Sequence, residues 1–162
     1  MARTLSCDVA VIGAGTAGLA AERAARANGA STLLIDPYYC GTTCATVGCM
    51  PSKLLIAASH AAHAARSTGM FGITVSDIAI DGKAVMQRVR DERDRFARLT
   101  REGIDDIPAD IRLSGRAKFT APNRLELDDG RLIEARSIVI ATGSAPFVPG
   151  AFAGLGKRLL TN

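Results

Sequence analysis

Tryptophan is missing from this sequence altogether, and two tyrosines and five phenylalanines hold the aromatic share to 4%. A nucleic-acid face of aromatic and basic side chains interleaved has no material here, and the 20 Lys and Arg residues gather into no run. Unbroken apolar stretches of membrane-spanning length are missing as well. The expectation is a soluble, cytoplasmic protein with neither nucleic acid nor membrane as partner. Cysteine is scarce: Cys7, Cys40, Cys44 and Cys49 are too few and too clustered for the disulfide framework of a secreted domain. Histidine is scarcer still. His60 and His63 are the only two, the cysteines are not spaced as a zinc knuckle, and no metal centre is assigned.

What is present is an ordinary globular composition, 48% apolar and 22% charged with a mild net charge of +4. A length of 162 residues suits one domain with a genuine core. Residues 1–21 have the outline of a secretion signal, Arg3 preceding an apolar run that ends in small residues. Asp8 and three glycines inside that run argue against it.

Cys7-Asp8-Val9-Ala10-Val11-Ile12 reads as a buried parallel strand, and it runs straight into Gly13-Ala14-Gly15-Thr16-Ala17-Gly18. That is GxGxxG in the setting that gives it meaning. Gly13 permits the tight turn, Gly15 lets a pyrophosphate approach the backbone, and Gly18 lets the next helix pack closely on the sheet. Thr16 and Ala17 open that helix, whose first amides and dipole favour an anion, and Ala20, Ala21, Ala24 and Ala25 keep it slim. Gly29 is the expected stop. Residues 31–35 form a second buried strand with Asp36 at its end, where an acid meets a ribose hydroxyl pair. The competing reading of Asp36 is a plain Asp-Pro turn before Pro37. This fingerprint does not separate FAD from NAD.

Gly41-Thr42-Thr43-Cys44-Ala45-Thr46-Val47-Gly48-Cys49-Met50-Pro51-Ser52-Lys53 holds two thiols five residues apart ahead of a helix start. A helix N-terminus lowers a thiol pKa, and the step is short enough for the sulfurs to join. The stretch resembles the active-site signature of the class I pyridine nucleotide-disulfide oxidoreductases, usually Gly-Gly-Thr-Cys, two variable positions with Asn common at the second, Val-Gly-Cys, one variable position and Pro-Ser/Lys-Lys. Thr42 stands where the second glycine is usual, and Thr46 where Asn is common. The resemblance implies that Cys49 is the flavin-side thiol, that Cys44 exchanges with substrate, and that Lys53 lies near the flavin ring. It also implies cofactor contacts from Gly41 and Thr43.

The remaining segments read structurally. A helix is expected from about Pro51 to Ser67, with His60 and His63 on its surface. Another is expected from Asp81-Gly82 to Arg101, with Val85, Val89, Phe96 and Leu99 on one stripe and ion pairs Asp91–Arg95 and Asp94–Arg98. Its Arg88, Arg90 and Arg93 read as a solvated face, a partner contact being the alternative. After Pro108, four short alternating runs around 111–113, 117–119, 125–127 and 132–134 predict a small antiparallel meander. Ala117 within it lies beside the adenine by resemblance; an ordinary strand pair is the alternative. Ser137-Ile138-Val139-Ile140-Ala141-Thr142-Gly143 predicts a buried strand ending in Ala141, Thr142 and Gly143, which resembles the second FAD-side motif of the same superfamily.

Together these readings imply an α/β fold, a Rossmann-like FAD-binding domain with a parallel sheet, flanking helices and a β-meander. Residues 1–162 are expected to be its N-terminal part. The NAD(P) domain, the flavin-side Gly-Asp motif and the interface domain with its His-Glu pair are expected outside it, with a crossover near Leu159-Leu160-Thr161-Asn162. The implied activity passes electrons between a small-molecule or lipoyl-type dithiol/disulfide, Cys44 and Cys49, FAD and NAD(P), in a parent that is a homodimer. Pro51-Ser52-Lys53 favours dihydrolipoyl dehydrogenase; mercuric reductase shares that tripeptide and is the nearest alternative, while glutathione reductase more often has a second Lys at position 52. A non-catalytic module holding FAD or its ADP half is the reading of a different class.

Overall fold

The computed structural model describes residues 4–159, apart from the side chain of Lys157. The strand expected at residues 7–12 is longer than its apolar run, β1 spanning Thr4–Ile12. The extra residues are held by ladder pairing with a neighbour, which sequence alternation does not report. Helix α1 follows at Thr16–Ala27 and ends at Asn28, with Gly29 in the left-handed region at φ 81°. Strand β2 is Thr32–Ile35. Then come α2 (Thr43–Thr46), α3 (Cys49–Arg66), a 3-10 turn at Thr68–Phe71 and α4 (Gly82–Asp105). Strands β3 (Arg112–Leu113), β4 (Ala117–Ala121), β5 (Arg124–Leu127) and β6 (Leu132–Ile140) precede a 3-10 stretch at Gly150–Arg158. Of the crossover expected at residues 159–162, all but Leu159 lies outside the described residues.

The six strands form one mixed sheet in the order β3-β2-β1-β6-β5-β4. Two expectations need correction. Residues 112–113 are not part of the meander, because they pair parallel with β2, Leu34 opposite Arg112 and Ile35 opposite Leu113. The run at 132–134 and the returning strand at 137–140 are also one strand, not two. Strand β6 is antiparallel to β5 at its start and parallel to β1 along its whole length. Its alternation at 132–134 reflects the first pairing and its continuous apolar end the second.

Side chains fill both faces of this sheet. Ala10, Leu33, Ile35 and Leu113 join Leu125, Leu127, Ile133 and Ala135 in one cluster, while Val11, Leu34, Ala14 and Ile107 form the other with Leu19 and Ala21 of α1. Alternation along β1 and β2 thus sends successive residues into opposite cores. Glu22 of α1 is buried yet satisfied, accepting from Thr32 at 3.1 Å and from Arg26 at 2.7 Å.

Contacts divide the chain into two compact units, one reaching to Cys40 and resuming at Arg101, the other Gly41–Thr100. The first holds the sheet and α1. The second holds α2, α3 and most of α4. Helix α3 starts two residues before the expected Pro51, because Gly48 is its N-cap and a proline in the first turn gives up no helical hydrogen bond. Helix α4 runs four residues past Arg101. Its expected stripe is corrected at Leu99, which is 48% exposed, while Val89, Ala97 and Ile104 are buried. At about 100° per residue those three form one band and Leu99 falls off its edge. Arg95 joins Glu92 at 3.1 Å, while Asp91, its expected partner, accepts from Gln87 at 2.8 Å, and Asp94 is joined by Arg93 at 2.7 Å. Short spacings let neighbours compete for each carboxylate. His60 and His63 are exposed, as expected.

Candidate functional site

Register places the first group of site residues side by side. Ile12 of β1 lies opposite Ile35 of β2 and Ile140 of β6, so Gly13, Asp36 and Ala141 leave the sheet together at its C-terminal edge. Backbone bonds tie these exits: Gly13 N–H donates to Ile35 C=O at 2.7 Å, and Ala141 N–H donates to Ile12 C=O at 2.8 Å. In parallel sheets this edge is where ligands bind.

Each glycine of the loop has its own physical reason. Gly13 has φ 105°, and a Cβ on it would run into the carbonyl of Ala141, so the first glycine and the Ala-Thr-Gly motif require each other. A Cβ on Gly18 would collide with the carbonyl of Gly13. Gly15 differs, since a Cβ there would meet nothing within 4 Å. The space above it is open. Gly15 is the N-cap of α1, no side chain caps that end, and the first turn carries no acidic residue. An anion is therefore free to take the first-turn amides, beginning at the exposed Thr16 and Ala17. These features fit the pyrophosphate of a dinucleotide. Gly143, at φ 69°, turns the chain after Ala141 and Thr142.

Asp36 forms the turn offered for it: its Oδ1 accepts from the amides of Tyr38 (2.9 Å) and Tyr39 (2.8 Å). Its Oδ2 accepts from Ala14 N–H at 2.9 Å, inside the glycine loop. Sequence reasoning missed this tie and its neighbour Tyr39. That residue adopts φ 49°, and its hydroxyl donates to the carbonyl of Leu34 at 2.6 Å. Burial and the Asp36 charge push the Tyr39 hydroxyl pKa up to about 12. An Asp-Pro followed by two tyrosines was the available signal. Ala117, the first residue of β4, lines a shallow pocket of about 290 Å³ with Arg116, Lys118 and Glu126.

The second unit carries Gly41, Thr43, Cys44, Cys49 and Lys53. Cys44 sits in the single turn of α2, and Cys49 is the first residue of α3. The two thiols are free. Cys49 acts on Cys44 and, with desolvation, holds the Cys44 thiol above its ordinary pKa. Gly48 makes the link between the two helices tight: its amide donates to Thr43 C=O at 2.8 Å, and a Cβ on it would come within 3.1 Å of that oxygen. Ser52, missed from sequence, donates to the carbonyl of Gly48 at 2.9 Å and bonds that of Cys49 at 3.0 Å. Lys53 is exposed one turn beyond Cys49. An apolar cleft of about 710 Å³ between α3 and residues 78–85 includes none of the expected site residues. Among the described residues no three His, Cys, Asp or Glu side chains gather as metal ligands, and no helix is long and apolar enough to cross a membrane.

Residues 7–161 match the family model described as pyridine nucleotide-disulphide oxidoreductase. Over 150 residues the chain is 37% identical to a mercuric reductase of Streptomyces lividans, covering 88% of this chain and 31% of that protein. It is 33% identical over 144 residues to a dihydrolipoyl dehydrogenase of Chlamydia muridarum, covering 86% and 30%. Identity to a glutathione reductase of Burkholderia cepacia is 32% over 142 residues, covering 88% and 31%. The chain thus spans about a third of the length of these curated relatives.

Proposed function

Because the chain belongs to the pyridine nucleotide-disulphide oxidoreductase family, whose members bind FAD and use NAD(P), we propose that residues 1–162 form the N-terminal part of the FAD-binding domain of a disulfide oxidoreductase and carry its redox-active thiols. The observation that carries this reading is the pair of free thiols, Cys44 in α2 and Cys49 at the start of α3, joined by the tight Gly48 link. On this reading the amides around Gly15, Thr16, Ala17 and Gly18 bind the pyrophosphate. Asp36 faces the ribose while holding the loop through Ala14, Ala117 lies beside the adenine, and Ala141, Thr142 and Gly143 close the cradle. Gly41, Thr43 and Lys53 serve the flavin side.

Thiol chemistry follows from the pair. A substrate thiolate attacks the Cys44 sulfur of the Cys44–Cys49 disulfide, the sulfur–sulfur bond breaks, and Cys49 leaves as thiolate. The second substrate thiol then attacks its partner sulfur in the mixed disulfide, releasing Cys44 and an oxidised substrate. Two electrons have passed to the protein dithiol. Bound FAD would supply the two-electron acceptor for this dithiol and a donor to NAD(P).

For the substrate we favour a dihydrolipoyl-type dithiol, on Pro51-Ser52-Lys53. Mercuric reduction is the second reading, supported by the 37% identity to the Streptomyces lividans protein. The test of the shared chemistry is to add FAD and dithiothreitol anaerobically to the chain and record the visible spectrum. A long-wavelength band between thiolate and flavin is expected, retained in Cys44→Ser and lost in Cys49→Ser. Flavin bound without the band defeats the assignment of Cys49. Turnover with lipoamide, mercuric ion and oxidised glutathione, measured on the complete enzyme, separates the substrates.

A further inference from the structure

We propose that Thr42 and Thr46 are positioning residues for the Cys44 thiol, a hydroxyl clasp that replaces the usual glycine and asparagine of the signature. The two departures from the usual pattern meet in the structure. Thr46 Oγ1 donates to the backbone carbonyl of Thr42 at 2.9 Å. That same carbonyl accepts from the amides of Ala45 and Thr46, each at 3.1 Å. Thr42 Oγ1 in turn accepts from Ala45 N–H at 3.2 Å, making Thr42 the N-cap of α2. Thr42 is 8% exposed and Ala45 is 5% exposed, so these bonds face little competition from water.

Helix α2 has four residues, too short to be held by helix propagation. Its turn therefore depends on its cap, and Cys44 stands between the two threonines that make it. Glycine at position 42 would remove the side-chain acceptor and free the backbone. The clasp instead fixes the turn that presents Cys44 to Cys49, which raises the effective concentration of one sulfur at the other and favours the disulfide. This inference rests on the reading that Cys44 and Cys49 cycle between dithiol and disulfide.

The test is a redox titration of the chain in dithiothreitol buffers. The protein disulfide takes two electrons and two protons as its sulfur–sulfur bond breaks, and dithiothreitol closes its own disulfide. Acid quench, alkylation and peptide masses report Cys44 and Cys49 separately from Cys7 and Cys40. Thr42→Val and Thr46→Val are each expected to shift the midpoint toward the dithiol by about three- to tenfold, the scale of one lost capping or side-chain hydrogen bond. Thr42→Ser, which keeps the acceptor, is expected to stay within about twofold of the unaltered chain. An unmoved midpoint in both valine variants overturns the clasp and leaves the redox reading standing. A serine variant that shifts as far as valine overturns it too. An unaltered chain that forms no Cys44–Cys49 disulfide overturns the clasp and the redox reading together. Should Thr42→Val fail to fold, the half-buried Thr46→Val decides by the same criterion.

Discussion

The glycine loop and the thiol turn are held in place by different means. In the first unit, Gly13, Gly18, Asp36 and Ala141 are fixed by strand register, by backbone bonds across β1, β2 and β6, and by contacts that leave no room for a methyl group. In the second unit, Cys44 rides on one helical turn held by threonine hydroxyls, and none of the residues of α3, which begins at Cys49, is buried. A binding loop must be preformed to hold a ligand, and steric exclusion provides that. A thiol that exchanges partners must shift as bonds form and break, so a few hydrogen bonds of about 1 kcal/mol each suit it better.

Substitutions within the loop should show the largest effect. Gly18→Ala should destabilise the fold by about 3 kcal/mol, measured by urea unfolding, because its methyl meets the Gly13 backbone. Gly15→Ala should stay within about 0.5 kcal/mol of the parent and yet lose dinucleotide affinity by about tenfold, since its methyl enters open space that the pyrophosphate needs. Equal destabilisation by the two would end the distinction drawn between them. Asp36→Ala removes three accepted hydrogen bonds and should cost about 2 kcal/mol even without ligand. A loss seen only with FAD present would make Asp36 a ribose contact alone.

Smaller effects sharpen the thiol side. Cys49→Ala removes the neighbouring thiol that raises the Cys44 pKa, so Cys44 should alkylate about two- to fivefold faster at pH 8. A slower rate would reverse the direction assigned to that coupling. In the first unit, burial lifts the Cys7 thiol from 9.0 to about 11, with the charge of Asp8 adding to it, and Tyr39 is lifted from 10.0 to about 12. The unfolded chain gives up these protons first, so their contribution is complete below pH 9 and is lost as pH rises through about 11 and 12. The melting midpoint should fall over that range, and Cys7→Ala should flatten the first part of the fall. A midpoint independent of pH above 9 would contradict both shifts.

The sequence by itself marked the two candidate sites. GxGxxG after an apolar run, an acid after the second run and two cysteines ahead of Pro51 are local patterns, and local patterns specify turns, caps and helix starts directly. The longer helices followed for the same reason, although the bounds of β1, α3, α4 and β6 moved. Tertiary structure alone decided what depends on partners distant in sequence. Residues 112–113 became a parallel strand because β2 offered an open edge, and residues 132–140 became one strand because β1 and β5 pair with different stretches of it. It also decided that Gly13 must be glycine on account of Ala141, 128 positions away, that Asp36 reaches back to Ala14, and that Thr42 and Thr46 belong together. Periodicity and propensity report on one segment at a time, whereas steric exclusion and hydrogen bonding belong to pairs of atoms that only the folded chain brings into contact.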